Sequence, residues 1–243
     1  MATKGGLNIV TDGLVLALDA ANPKSYPGSG TAWNDLVNSN NLTLTNGAVY
    51  IPQQNGGISF DGVNDYAATT NFGLSTNFTY EGYFYISTTD SGYSGFFGSM
   101  NSPSGYSGVG SGFVARISNT GEFQMYAKNN GVGNDGDYIF NREGNFRSEY
   151  AGQNIHMVYT YNNGSHVLYL NGELFLQNST GPTIGSVDPS SANSTLYVGA
   201  YTWGITSQTY YLKGRNYNFK VYNRTLSQTE AQQNYNATKQ RFK

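Results

Sequence analysis

Cysteine is absent from all 243 residues. Disulfides and thiolate metal sites are therefore excluded, and the redox compartment is left open. Charge is scarce too: Asp, Glu, Lys and Arg make up 12% of the chain, for a formal net charge of -2. No global basic field is available to hold nucleic acid. No apolar run approaches the ~20 residues a membrane span needs, so membrane insertion is not expected. The first residues, Met1-Ala2-Thr3-Lys4-Gly5-Gly6, lack an apolar h-region, so no secretory signal is expected. Triplets such as Asn77-Phe78-Thr79 and Asn163-Gly164-Ser165 are accordingly read as unglycosylated. No P-loop, nucleophile elbow or His-Glu-x-x-His pattern occurs. Gly131 to Gly136 spells G-x-G-x-x-G, but it does not join a strand to a helix and does not read as a dinucleotide site.

What is abundant is glycine (31) and tyrosine (21, against 13 phenylalanines). This suits many short strands joined by Gly, Asn and Ser turns, and argues against a helical bundle. The length fits one all-β domain of ~200–250 residues, and no internal boundary or repeat divides it. A single domain over residues 1–243 is expected.

The chain is organised around Gly57 to Tyr66. Ile58 and Phe60 alternate with Ser59, so both point into one core. Asp61-Gly62 is a turn pair, and Tyr66 and Ala68 start the next strand. Earlier, Leu14, Leu16 and Leu18 share one strand face. Trp33 follows a Pro- and Gly-punctuated loop from Ala20 to Gly30 and is expected to pack it down. Leu42 to Leu44 and Val49 to Ile51 flank Asn46-Gly47, which predicts a type I′ hairpin. Phe78 to Ser87 predicts a long strand with Phe78, Tyr80, Phe84 and Ile86 on one face. Thr79, Glu81, Tyr83 and Tyr85 take the other.

Further on, Asp90 to Gly112 reads as a loop with one strand near Phe96-Phe97. Phe113 to Ile117 and Phe123 to Ala127 predict a hairpin, and Asn129 to Asp137 a loop. Glu143 and Glu149 fall in a loop-like stretch. Ile155, Met157, Tyr159 and Tyr161 alternate, with turns at Asn162-Asn163-Gly164 and Asn171-Gly172. His156 and His166 are expected at the surface or at strand ends. Lys213, Arg215, Lys220, Arg224, Lys239, Arg241 and Lys243 cluster late, as a solvated face or a docking surface for an acidic partner. Ser227 to Glu230 is a capping box, opening a short helix to about Thr238.

In order, these pieces resemble concanavalin A-like lectin/glucanase domains, the laminin-G-like jelly rolls, of the kind found in bacteriophage structural proteins. Phe60 to Tyr66 matches FDGxNDY. Gly13 to Leu36 is similar to the phage opening GLVLxLDAxNPxSYPGSGTxWxDL. His156 to Gly172, the LYVG strand ending at Gly199 and the KGxxxxFxVYNRxLS ending complete the set. The resemblance implies an antiparallel two-sheet jelly-roll β-sandwich with a short C-terminal helix. Glycosidases of this fold carry a strand-borne E-x-D-x-x-E pair; this chain has none, so no catalytic residue and no enzyme activity are expected. The implied role is a virion component: a capsid decoration, head fibre or tail or baseplate adhesin. Its partners would be other virion proteins and host-surface glycans. The alternative is a bacterial carbohydrate-binding module or weak glycanase, secreted or at the cell surface.

Two kinds of site residue follow. Sugar binding needs aromatic faces with polar neighbours, and Tyr83, Tyr85, Tyr201, Trp203, Tyr210 and Tyr211 are suitable in kind. The alternative for this group is core or a subunit interface; few charges and Tyr-rich faces favour a homo-oligomer. Related lectin-like domains often hold structural calcium (Ca2+), which wants about six to eight oxygens. Asp61, Asn64 and Asp65 would supply some of them, or would instead cap turns through backbone N–H groups. Asp135 and Asp137 form a poorer second candidate.

Overall fold

The computed structural model describes residues 8–53, 55–73, 75–101, 111–128, 137–142, 144–184, 194–202 and 209–242. Trp203, Glu143 and the segment from Gly131 to Gly136, with Asp135, lie outside them. The first half holds β1 (Leu14–Asp19), β2 (Ala32–Trp33), β3 (Leu42–Thr45), β4 (Val49–Ile51), β5 (Gly57–Asp61), β6 (Tyr66–Thr70), β7 (Asn77–Ile86), β8 (Ser94–Asn101), β9 (Ser111–Ile117) and β10 (Phe123–Lys128). Then come β11 (Asp137–Arg142), helix α1 (Phe146–Tyr150), β12 (Asn154–Asn162), β13 (Ser165–Leu170), β14 (Glu173–Asn178), β15 (Thr195–Val198), β16 (Ala200–Thr202), β17 (Thr209–Tyr211), β18 (Lys213–Tyr222) and helix α2 (Gln228–Thr238). A 3-10 turn, Lys239–Phe242, ends the described chain.

Two antiparallel sheets stack into a sandwich. The first runs β14-β13-β12-β7-β18-β5-β4, with β1 also paired to β18; the second runs β11-β10-β9-β8-β15-β6-β3-β2. Alternation decides what lies between them. Phe78, Tyr80 and Phe84 of β7 and Tyr159 of β12 meet Phe97 of β8 and Phe113 of β9 in one aromatic lattice, with ring centroids 4.9–6.1 Å apart. Leu16, Phe60, Phe84 and Tyr159 belong to one buried cluster. Each such side chain stabilises the fold by about 1.5–3 kcal/mol relative to exposure. The β9–β10 hairpin and the turns at Asn163-Gly164 and Asn171-Gly172 stand where the sequence predicts them. Trp33 is fully buried, as expected, though its indole N–H has no partner.

The expected hairpin at Asn46-Gly47 does not form. Both residues take positive φ (62° and 123°), but β3 pairs with β6 and β2 in the second sheet while β4 pairs with β5 in the first. The turn carries the chain from one layer to the other. Asp61-Gly62 does the same between β5 and β6. Around Glu149, read as a loop, the chain forms α1 instead: the Asn145 side chain caps it by accepting the Ser148 N–H (2.9 Å).

The capping box of α2 is present: Glu230 N–H donates to Ser227 Oγ (3.3 Å) and Ser227 N–H to Glu230 Oε2 (2.8 Å). Hydrogen bonds from Arg224 hold the Glu230 carboxyl low, at about 2. The helix lays Ala231 and Asn234 on the outer face of the first sheet, and Phe242 inserts between Tyr83 (4.2 Å) and Tyr217 (4.8 Å). That face is therefore dry along much of its length, although half of it is polar in sequence.

Candidate functional site

The polar residues covered by α2 form a closed network. Glu81, outward on β7, is fully buried. Its Oε1 accepts from Lys220 Nζ (2.7 Å) and His156 Nε2 (3.1 Å), and its Oε2 from Asn234 Nδ2 (2.6 Å) and Tyr222 OH (3.4 Å). The Val10 N–H closes the ring on Asn234 Oδ1 (2.7 Å). Burial pushes the Glu81 carboxyl up, but Lys220 and His156 more than offset it, so the group lies well below the usual carboxylate range. Lys220 is thus an interior counter-ion, not part of a solvated basic face. Arg224 and Arg241 are likewise spoken for, by Glu230 and Asp12 and by Asp19. No solvent reaches Glu81.

The two histidines are also interior, contrary to the surface expectation. His156 stacks on Tyr83 (4.8 Å) under Tyr235, and His166 bonds the Tyr159 hydroxyl (2.8 Å) and the Pro182 carbonyl (2.8 Å). Burial lowers both pKa values; for His156 it outweighs the pull of Glu81, and His166 falls to about 4. In this window the folded state binds fewer protons than the unfolded chain. The contribution of both rings is expected to be complete above ~6.5, the unfolded value, and to fall at lower pH by at most ~1.4 kcal/mol per pH unit for each ring, for His166 down to about 4. Urea midpoints at pH 7, 6, 5 and 4.5 check this; His166→Phe should flatten part of the slope.

An exposed constellation lies on the other side, on the outer face of the second sheet. Phe113, Ala115 and Ile117 point inward from β9, which sends Val114 and Arg116 outward; Gln124 and Tyr126 follow from β10. The β16–β17 hairpin folds over this face against β8. It needs Gly95 there, since a Cβ would meet the Tyr201 backbone N at 2.5 Å. Arg116 then becomes a hub. Its Nε donates to Gln124 Oε1 (2.9 Å), Nη1 to Tyr201 OH (2.7 Å) and Nη2 to Tyr126 OH (2.8 Å), and the guanidinium lies 4.5–4.7 Å from the Tyr126 and Tyr93 rings. Burial works against its charge, and the surrounding phenols more than offset it, leaving its pKa above the ordinary value. Tyr201 stacks on Tyr210 (5.1 Å), Tyr210 meets Tyr93 (5.1 Å), and Tyr138 covers Tyr126 (4.2 Å). A second group joins Tyr66 to Tyr197 and Tyr211 (5.7 and 6.2 Å). Tyr201 and Tyr126 are buried as the floor; Tyr93, Tyr210, Tyr211, Tyr66 and Tyr197 are half-buried, and Tyr138 is 49% exposed.

Of the aromatic residues singled out in the sequence, Tyr201, Tyr210 and Tyr211 thus share one face. Tyr83 and Tyr85 are on the opposite sheet. Tyr83, 2% exposed beneath Phe242, is packing and presents no contact surface; Tyr85 is half-buried under Arg215. Arg116 was not anticipated. Alternation in Phe113 to Ile117 marks it as outward-facing, but its contact with Tyr201 depends on β16 packing over the sheet from far along the chain.

Asp61, Asn64 and Asp65 come together as a turn. Asp61 Oδ1 accepts Val63 N–H (2.7 Å) and Asn64 N–H (3.3 Å), Asp65 Oδ2 accepts Asp61 N–H (3.1 Å), and the Asn46 amide donates to the Asn64 carbonyl (3.0 Å). Asp65 Oδ1 is buried without a donor, and burial raises that carboxyl's pKa. Asp61 Oδ1 and Asp65 Oδ2 are engaged in the turn, and the three side-chain oxygens left over are fewer than the about six to eight that calcium wants. No group of three or more His, Cys, Asp or Glu able to hold a metal occurs among the described residues. Asp61 and Asp65 thus act as turn caps in this structure.

A sequence search of curated proteins finds no match. Among solved structures the chain is similar to Trypanosoma rangeli sialidase in complex with sialic acid, at 17% identity and a TM-score of 0.63, covering 96% of this chain and 34% of that one. It is also similar to the ligand binding domain of botulinum neurotoxin serotype D in complex with N-acetylneuraminic acid, at 15% identity and a TM-score of 0.64, covering 92% and 50%. The chain therefore spans about a third of the sialidase and half of the toxin domain, and at these identities what is shared is the fold. A family model matches residues 61–232, which takes in Arg116, Tyr201, Tyr210 and Tyr211. With that match over well more than half its length, the chain belongs to the concanavalin A-like lectin/glucanases superfamily.

Proposed function

We propose that this protein is a non-enzymatic glycan-binding component of a bacteriophage virion, with the tyrosine face around Arg116 as its sugar-contact surface. The observation that carries the reading is the arrangement of half-buried rings about one guanidinium on the outer face of the second sheet. Sugar C–H patches pack on aromatic rings, and the N–H groups that Arg116 does not spend on its neighbours suit hydroxyl or carboxylate oxygens. Two fold neighbours are named with sialic acids, so sialylated glycans are the first ligands to try. The non-catalytic part is supported by Glu81, the carboxylate on the long β7 strand, being sealed from solvent and neutralised by Lys220. The virion part is supported by the phage-like opening from Gly13 to Leu36, with host-surface glycans, other virion proteins and further copies of the chain as partners. A bacterial carbohydrate-binding module or weak glycanase is the second reading; hydrolysis of a β-glucan would favour it.

A glycan array with the purified protein is expected to give a defined set of hits. Tyr210→Ala is expected to weaken them about tenfold, ~1.4 kcal/mol, with the melting temperature little changed. An empty array, or hits indifferent to Tyr210→Ala, would move the function away from this face. A map of intact particles tests the virion placement separately.

A further inference from the structure

The described residues do not cover the outer face of the first sheet along its whole length. Beyond Phe242 it holds a cleft of about 310 Å3, lined by Ser59 and Asp61 from β5, Tyr85 and Ser87 from β7 and its end, and Lys213 and Arg215 from β18. Strand register sets this up: Arg215 pairs with Ser59 on one side and Tyr85 on the other, and Lys213 pairs with Asp61. The Arg215 guanidinium lies 4.7 Å from the Tyr85 ring centroid. Its Nη1 is buried, and its charge also acts on the Tyr217 phenol. Among the described residues, no carboxylate stands within ion-pair distance of Lys213 or Arg215, whereas Lys220, Arg224 and Arg241 on the same layer are all paired. Asp61, the one acid in the cleft, has Oδ1 turned to its own loop's N–H groups.

Two cations without a carboxylate partner thus share a concavity at the small end of ligand-site volumes with two hydroxyl-bearing residues and an aromatic ring. We propose that this cleft is a second ligand site, taking the oxyanion, carboxylate or sulfate, of one acidic sugar unit. Arg215 and Lys213 hold the oxyanion; Ser59 and Ser87 meet ring hydroxyls. The concave, ring-sized shape favours a single sugar unit over an extended acidic protein surface. The site lies on the sheet opposite Arg116 and does not depend on the tyrosine face.

The test is isothermal titration with glucuronate, galactose 6-sulfate, galactose and inorganic sulfate. Saturable binding of at least one acidic sugar and none of galactose is expected. Which acidic sugar binds tells carboxylate from sulfate. Arg215→Gln should weaken it at least tenfold at an unchanged melting temperature, and Tyr210→Ala should leave it as it was. If Arg215→Gln does not fold, Lys213→Met serves instead, with a several-fold loss expected. Three results would overturn the proposal: no saturation by either acidic sugar, affinity unmoved by these cleft variants, or sulfate binding as tightly as the sugars, which means an adventitious ion only.

Discussion

Lys220→Met is expected to cost about 3–5 kcal/mol of folding stability, read as a lower urea midpoint at unchanged slope. The substitution keeps most of the apolar stem and removes the ammonium, with both its charge and its hydrogen bond to Glu81. Glu81 would then keep its burial and its hydrogen bonds from His156, Asn234 and Tyr222 but lose the one cation beside it. An uncompensated interior carboxylate is among the most costly single defects a core can hold. The double variant Lys220→Met with Glu81→Gln is expected to recover more than half of the loss, because the amide no longer needs a counter-ion. The pH response supplies the sign. The Glu81 pKa is depressed in the folded state, so its stabilisation is present above the unfolded carboxylate value and fades as pH falls through the folded one. A single-variant loss under 1 kcal/mol would show that the network is wet and the seal by α2 incomplete.

Phe113→Ala is expected to be of similar size, about 3–5 kcal/mol, for a different reason. The Phe113 ring belongs to the second sheet, yet its neighbours Phe78 (5.2 Å), Tyr80 (4.9 Å) and Tyr159 (5.1 Å) belong to the first. Removing it leaves a void between layers whose strands are fixed by hydrogen bonds on both sides and cannot close over it. Near-UV circular dichroism should lose intensity along with the urea midpoint. Tyr138→Ala, at the 49% exposed edge of the tyrosine face, is the matched control and should cost under ~1 kcal/mol.

Much of this interior could be read from alternation. The inward sets of β7 and β12, the β9–β10 hairpin and the capping box of α2 all follow from local rules of period, turn and cap. What could not be read is pairing at a distance. Asn46-Gly47 has hairpin residues, and both take hairpin-like positive φ, yet nothing local says that the next strand will join the other layer. The same limit hid the fates of Glu81, His156, Lys220 and Asn234. Each is an ordinary surface residue by type, and only the docking of α2, which carries Asn234 and covers the other three, turns them into an interior. Arg116 went unnoticed for the same reason: Tyr201, one of its tyrosine partners, resides in a strand 85 positions later. Tyr201, Tyr210 and Tyr211 were legible in kind because a run of tyrosines in a short strand pair has few other uses.

The positions of Asn8, Val10 and Phe242 carry a consequence for display. Asn8 is held by Gln233 and Val10 by Asn234, and Phe242 is wedged against Tyr83, so both described ends emerge from the same side of the sandwich. The Lys213–Arg215 cleft shares its sheet with these described ends, whereas the tyrosine face lies on the opposite sheet, so a bulky neighbour packed against Val10 and Phe242 would crowd the cleft and leave Arg116 and its rings clear.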